Sequence, residues 1–222
     1  RALLPPRPRR ENETIDTIYI EEVFVIIHKV MMRARRAFTN LRSFALSKFG
    51  SGISSTHTYS SYKDYERHQK EKSIDPERIK KWLGEEWEIK LDGFRDVFLR
   101  DYKYVEGKQK AICLGSRTGQ EVKALLDMGV NAIGTDLVPF PPYTVEGDIH
   151  AVNYNDEEFD LVFTNIFDHS IHPVVFCSEM QRVCKSGGII IIHLLLGQNT
   201  DEYAETIVNN PKSVVAMFNS TT

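Results

Sequence analysis

The segment Ala111–Asp136, AICLGSRTGQEVKALLDMGVNAIGTD, sets a glycine-rich bend and a carboxylate at a spacing that could hold a nucleoside. It reads as strand, tight turn, helix, second strand, acid. That order puts the acid beside the turn at the carboxyl edge of a parallel sheet, where the turn admits a ligand close to backbone and the acid can take ribose hydroxyls. The turn is Leu114-Gly115-Ser116-Arg117-Thr118-Gly119. A dinucleotide turn needs a central glycine so that a pyrophosphate can lie against backbone. Arg117 stands there instead, which disfavours a nicotinamide or flavin cofactor and favours a smaller adenosyl ligand. A G-x-x-x-G bend also serves a strand–helix turn that binds nothing.

Asp136 lies twenty-one residues after Gly115. Ionised at a strand end, it can accept two charge-assisted hydrogen bonds from a ribose, or it can cap the next element. Gly147-Asp148-Ile149 follows the next strand position. Asp148 can accept from an adenine amino group while Ile149 packs on the base, or it can close an Asx-turn. Cys113, Cys177 and Cys184 have no disulfide or metal-ligand spacing, so no metal site is expected, and Cys113 and Cys184, in a strand and a helix, read as buried thiols.

The elements that must position these residues follow from pattern. From Lys110 onward strands and helices alternate: strands at Lys110–Leu114, Ala132–Thr135, Tyr143–Gly147, Phe159–Asn165 and Gly188–Leu194, with helices at Gln120–Met128 and Pro173–Val183. Such alternation predicts an α/β, Rossmann-like, doubly wound and mostly parallel sheet. The continuous apolar run of FDLVFTN marks a strand covered on both faces. A helix over Thr200–Asn209 and a last strand over Ser213–Phe218 are expected to close the chain. Upstream, Asp75 and Pro76 suit the N-cap and first position of a helix reaching about Leu83, and Glu88–Tyr104 reads as more helix. Gly50–Tyr62 reads as a polar linker, dividing an N-terminal part (1–62) from the sheet domain (63–222). Val23, Ile26, Ile27, Val30, Met31, Ala34, Phe38, Leu41 and Ala45 recur at spacings of three and four among arginines, predicting a basic amphipathic helix. Such a helix packs on a domain or partner, or lies on a membrane surface.

The chain has 222 residues and a formal net charge of −3, a balance that gives no specific nucleic-acid signal. No apolar run reaches the roughly 20 residues needed to span a bilayer. The opening RALLPPRPRR lacks a methionine, so we expect a trimmed or processed product. Its compartment is expected to be cytoplasmic, or membrane-associated if an anchor precedes Arg1.

Residues Lys110 to Leu196 resemble a class I S-adenosylmethionine-dependent methyltransferase, in particular the type 11 group. Five blocks carry the resemblance in order: CLGSRTG, GTD, GDI, FDLVFTNIFDH and KSGGIIIIH. The form CLG-S-R-x-G is similar to a less-studied branch common in plants. The resemblance implies S-adenosyl-L-methionine as cofactor, held by Leu114, Gly115, Ser116, Arg117 and Gly119 of the turn, by Asp136 and Leu137, by Gly147, Asp148 and Ile149, and by Asn165 and Phe167. It also implies an acceptor pocket beyond the fourth strand; there His169 or Asp168, both able to sit at the strand's carboxyl end, is the candidate base. Cys113 replaces an acid found in many relatives, and Arg117 replaces the central glycine. Arg117 either reaches the methionine carboxylate of the cofactor or points outward on the first helical turn. The family usually closes its sheet with an antiparallel strand pair; the short C-terminal segment here predicts a missing strand and an exposed edge. Three functions compete: methyl transfer to an unidentified small molecule or carbohydrate, an inactive methyltransferase-like interaction module, and a nicotinamide oxidoreductase. Arg117 and the lack of a Tyr-x-x-x-Lys pair near the fourth strand count against the last.

Overall fold

A computed structural model describes residues 22–28, 52–197 and 201–220 of the chain. Its centre is a six-stranded sheet. In chain order the strands are β1 (Glu22–His28), β3 (Lys110–Leu114), β4 (Asn131–Asp136), β5 (Thr144–Glu146), β6 (Phe159–Thr164) and β7 (Cys184–Leu195). Their spatial order is β1-β7-β6-β3-β4-β5. β3 to β7 run parallel, and β1 pairs antiparallel with β7, from Glu22 opposite Leu195 to His28 opposite Ile189. The short strands β2 (Ile53–Ser55) and β8 (Thr206–Val208) form a separate antiparallel pair.

Alternation along each strand sends its side chains to two cores. Ile112, Leu114, Val162, Ile190 and Ile192 face α6 (Pro173–Val183) and α7 (Pro211–Ser220). Ala111, Cys113, Leu161, Phe163, Ile189 and Ile191 face α3 (Glu85–Arg100) and α5 (Gln120–Asp127). All three cysteines are free and buried, Cys113 and Cys184 as expected. Ahead of the sheet come α1 (Tyr62–Ile74), α2 (Pro76–Leu83) and, after α3, the single turn α4 (Tyr102–Val105). Asp75 caps α2 through bonds from Glu77 N–H and Arg78 N–H at 2.9 and 3.0 Å, with Pro76 in the first turn.

The structure differs from the sequence reading in four places. The helix expected from Val23 is instead strand β1 over Glu22–His28; residues 29–45 of it lie outside the described residues. A continuous apolar run fits a buried strand and a helix alike, so periodicity alone does not separate them. β1 covers the outer side of β7, so the edge expected to be bare there is paired. Within the expected linker, Ile53–Ser55 pairs with β8 and Thr56 N–H bonds Glu205 O at 3.0 Å. The last two elements exchange types: the stretch expected as helix carries β8, and Ser213–Phe218 lies in α7. Asn210 accepts from Lys212 N–H at 3.0 Å ahead of a helix that opens on Pro211, a start signal that outweighs the β-branched composition of the segment.

Candidate functional site

The carboxyl ends of β3, β4, β5 and β6 open onto a cavity of ≈ 490 Å³, part of it open to solvent. Gly115 and Arg117 reach it from the turn after β3, Asp136 and Leu137 from the end of β4, Ile149 from beyond β5, and Ile166 and His169 from beyond β6. Helix α1 closes it with Tyr65, Gln69, Lys72 and Ser73.

The turn is built from backbone. Gly115 N–H and Ser116 N–H both bond Thr135 O, at 2.8 and 3.1 Å, tying it to the neighbouring strand. Gly115 has φ of 74°, and a Cβ there would meet the Ile166 side chain at 2.3 Å. Only glycine gives both the conformation and the clearance. Arg117 also adopts positive φ, at 41°. It therefore takes the left-handed geometry that a glycine would adopt without strain. Its N–H donates to Asp136 Oδ2 at 2.9 Å, and Val138 N–H donates to Oδ1 at 3.0 Å. The Arg117 side chain does not point outward: its guanidinium lies over the Trp82 ring, 4.2 Å from the centroid, and lines the cavity. Burial raises the Asp136 carboxyl above its ordinary value, against the two backbone bonds and Arg117. Burial likewise lowers Arg117 from its ordinary value.

His169 is held in one tautomer. Its Nδ1 lies 2.7 Å from Tyr203 O, and a carbonyl only accepts, so Nδ1 carries the proton and Nε2 the lone pair. Nε2 lies 3.8 Å from Asp201 Oδ2 and 4.0 Å from Asp168 Oδ1. Burial holds His169 below its ordinary value, and Asp168 opposes that shift. Asp201 is ion-paired with Lys72 of α1.

Helix α1 is strapped over this end of the sheet by polar bonds. Tyr62 OH donates to Asp148 at 2.6 Å, Tyr65 OH to His169 O at 3.0 Å, and Gln69 Nε2 to Tyr203 O at 2.9 Å and to Glu205 at 2.8 Å. At its start, His150 Nε2 lies 2.7 Å from Ser170 Oγ and His150 Nδ1 3.3 Å from Asp148 Oδ1. The spacing is that of a serine–histidine–aspartate set, but Ser170 is fully buried, so no substrate reaches its hydroxyl and the arrangement is an anchor.

Of the residues singled out in the sequence, Gly115, Arg117, Asp136, Leu137, Ile149 and His169 share the cavity. The others do not line it. Asp148 turns its carboxylate to Tyr62 of α1 and, in an Asx-turn, to His150 N–H at 2.8 Å. Leu114 and Phe167 are core residues, and Phe167 stacks on Phe176. Ser116 is buried against Gly134, where a Cβ would meet its Oγ at 2.0 Å. Gly119 makes room for Tyr143, and Gly147 for Thr135. Asn165 also lies outside the lining, and Asp168 acts beside His169 rather than in the cavity. Sequence reasoning missed Tyr65, Gln69, Lys72 and Ser73. The signal was Ser61-x-x-Asp64, a capping box: Asp64 N–H bonds Ser61 Oγ at 3.3 Å, and Ser61 OH bonds Asp64 at 2.8 Å. Among the described residues no cluster of three or more metal-ligating side chains occurs, and no helix is long and apolar enough to cross a membrane.

Residues 112–192 match a family described as a methyltransferase domain. No curated protein matches the chain. Solved structures share the fold, among them the following two. A SAM-dependent methyltransferase from Archaeoglobus fulgidus superposes with a TM-score of 0.52 at 16% identity, covering 59% of this chain and 68% of that one. The 1,6-didemethyltoxoflavin-N1-methyltransferase of Burkholderia thailandensis, with bound 1,6-didemethyltoxoflavin and S-adenosylhomocysteine, gives 0.56 at 10% identity, covering 76% and 83%. The strand order and these superpositions agree: the chain shares the fold of these methyltransferases, and its residues 112–192 are similar to the methyltransferase domain family.

Proposed function

We propose that the chain binds S-adenosylmethionine in this cavity and directs methyl transfer to a small-molecule or carbohydrate acceptor. One observation carries the reading: Gly115, Asp136 and Ile149, at the ends of three neighbouring strands, line the same cavity as the imidazole of His169. The residues suit the ligand. Asp136 keeps a lone-pair site on each oxygen beyond its two backbone donors. In this reading Asp136 takes the ribose, Leu137 and Ile149 flank the adenine, and Arg117 faces the amino-acid carboxylate. When bound, S-adenosylmethionine supplies a methyl group already activated on a positively charged sulfur. The chain supplies alignment, exclusion of water and, for an oxygen or nitrogen acceptor, removal of a proton. His169 takes that proton at Nε2, the nitrogen left open by the bond to Tyr203 O. On the CLGSRTG form of the turn we place the chain in the plant-type branch of the type 11 group.

Calorimetry with S-adenosylmethionine, its demethylated product and NAD tests the reading. Micromolar binding of the first two, lost in Asp136→Ala, and silence with NAD are expected. Silence with all three overturns it and selects a second reading, a non-catalytic interaction module. The packing of Ile166 against Gly115 and the arginine within the turn favour that alternative.

A further inference from the structure

We propose that Lys72 and Asp201 form a paired control on the protonation of His169, so that the docking of α1 sets the strength of the base. The inference rests on His169 acting as the proton acceptor of the proposed methyl transfer. Its ground is geometric. Asp201 Oδ2 lies 3.8 Å from His169 Nε2 and is at the same time the ion-pair partner of Lys72 Nζ. One carboxylate oxygen thus sits between an imidazole and an ammonium group.

The two charges act in opposite senses. A carboxylate beside Nε2 favours the imidazolium, and an ammonium group beside that carboxylate disfavours it. With both present, the imidazole stays neutral at neutral pH with its lone pair available. Once a proton from an acceptor O–H or N–H has bonded to Nε2, Asp201 and Asp168 stabilise the cation. The other groups around His169 are accounted for. Tyr203 supplies only its carbonyl, to Nδ1. Tyr65 of α1 donates to the His169 backbone carbonyl, not to the ring. Asp136 shares the cavity and interacts with His169, while Arg117, whose N–H bonds Asp136, acts on Lys72 and Asp201; the two carry opposite charges. Gln69 is uncharged and held by Tyr203 O and Glu205. Burial lowers His169 and Lys72 alike, in keeping with a neutral imidazole next to a compensated cation.

Lys72 comes from α1, whereas Asp201 and His169 come from the segments after β7 and β6. The carboxylate meets its counter-charge only when α1 is seated. With α1 displaced, Asp201 alone faces the ring and the imidazole protonates more readily, becoming a poor base.

The test is a proton NMR titration of the His169 ring in the ligand-free protein, with its resonance assigned by its loss in His169→Gln. Lys72→Met should raise the midpoint by about one pH unit and Asp201→Asn should lower it by about as much. Lys72→Arg, which keeps the charge, should restore the wild-type midpoint. Unchanged midpoints, or shifts of the same sign in both variants, overturn the proposal. Should Lys72→Met fail to fold, the half-exposed Asp201 decides the matter through Asp201→Asn alone. The titration needs no cofactor, so it is read apart from the calorimetry: a tuned histidine with no S-adenosylmethionine binding would sink the transfer reading and leave the pairing intact.

Discussion

Arg117 lays its guanidinium over the indole of Trp82, 4.2 Å from the ring centroid, while its backbone stands at a φ of 41°. The pair explains how an arginine occupies a position shaped for glycine. The left-handed conformation costs about 1–2 kcal/mol, and a buried cation–π contact of about 2 kcal/mol offsets it. Arg117→Gly should therefore change stability by less than about 1 kcal/mol, read by urea denaturation. If the guanidinium clamps the amino-acid carboxylate, the same variant should bind S-adenosylmethionine about tenfold more weakly. Methylthioadenosine, which lacks that carboxylate, should bind as before. Equal losses for both ligands would rule the clamp out.

Asp136 holds the turn and faces the cavity at once. In Asp136→Asn one of the donors, Arg117 N–H or Val138 N–H, must face an amide NH2 instead of an oxygen. We expect a loss of about 1–3 kcal/mol in stability together with loss of nucleoside binding. Thermal unfolding and calorimetry on the same preparation check the two effects. A variant of native stability would show that the turn does not depend on this carboxylate.

Glu121, in the first turn of α5, is buried, and burial raises its carboxyl from an ordinary 4.5 to about 8. Between those values the unfolded chain is ionised and the folded chain still holds the proton. The stabilising contribution is complete below pH 4.5 and is lost as pH rises through about 8. It should amount to a few kcal/mol over that window. Glu121→Gln should flatten the fall in stability with rising pH, measured by chemical denaturation at a series of pH values. An unchanged slope would place the titration elsewhere.

Tyr62→Phe removes the hydroxyl that joins α1 to Asp148. Burial and this bond raise the tyrosine above its ordinary value, so it remains a donor across the physiological range. A hydrogen bond to a charged group contributes about 1.5–3 kcal/mol. Limited proteolysis should cut α1 faster in the variant, while the sheet resists as before. Equal cleavage rates would mean that Tyr65, Gln69 and Lys72 hold the helix without it.

Much of this site could be read from order and spacing. The unit β3–turn–α5–β4 lies where the glycines and Asp136 put it, because hydrophobic alternation and turn chemistry are local properties. What escaped were partnerships over long distances. The charged run from Lys63 to Lys72 carries no strong apolar stripe, so its role as the cover of the cavity rests on polar bonds to residues 130 positions away, such as Gln69 to Tyr203 and Lys72 to Asp201. The bond of Asp148 to Tyr62 escaped for the same reason: Tyr62 lies on that unrecognised helix. β1 and α7 were misread because their apolar composition suits either helix or strand, and their neighbours in space decide between them.

The antiparallel pairing of β1 with β7 gives the chain an unusual order of events. Glu22–His28 is made well before its partner, Ile189–Leu195. More than 160 residues must be gathered before that ladder can close, and contacts of such separation slow folding. Until then an isoleucine-rich strand has one bare margin, so co-expression with a holdase should raise the soluble yield of the full chain more than that of a variant whose β7 margin carries added lysines.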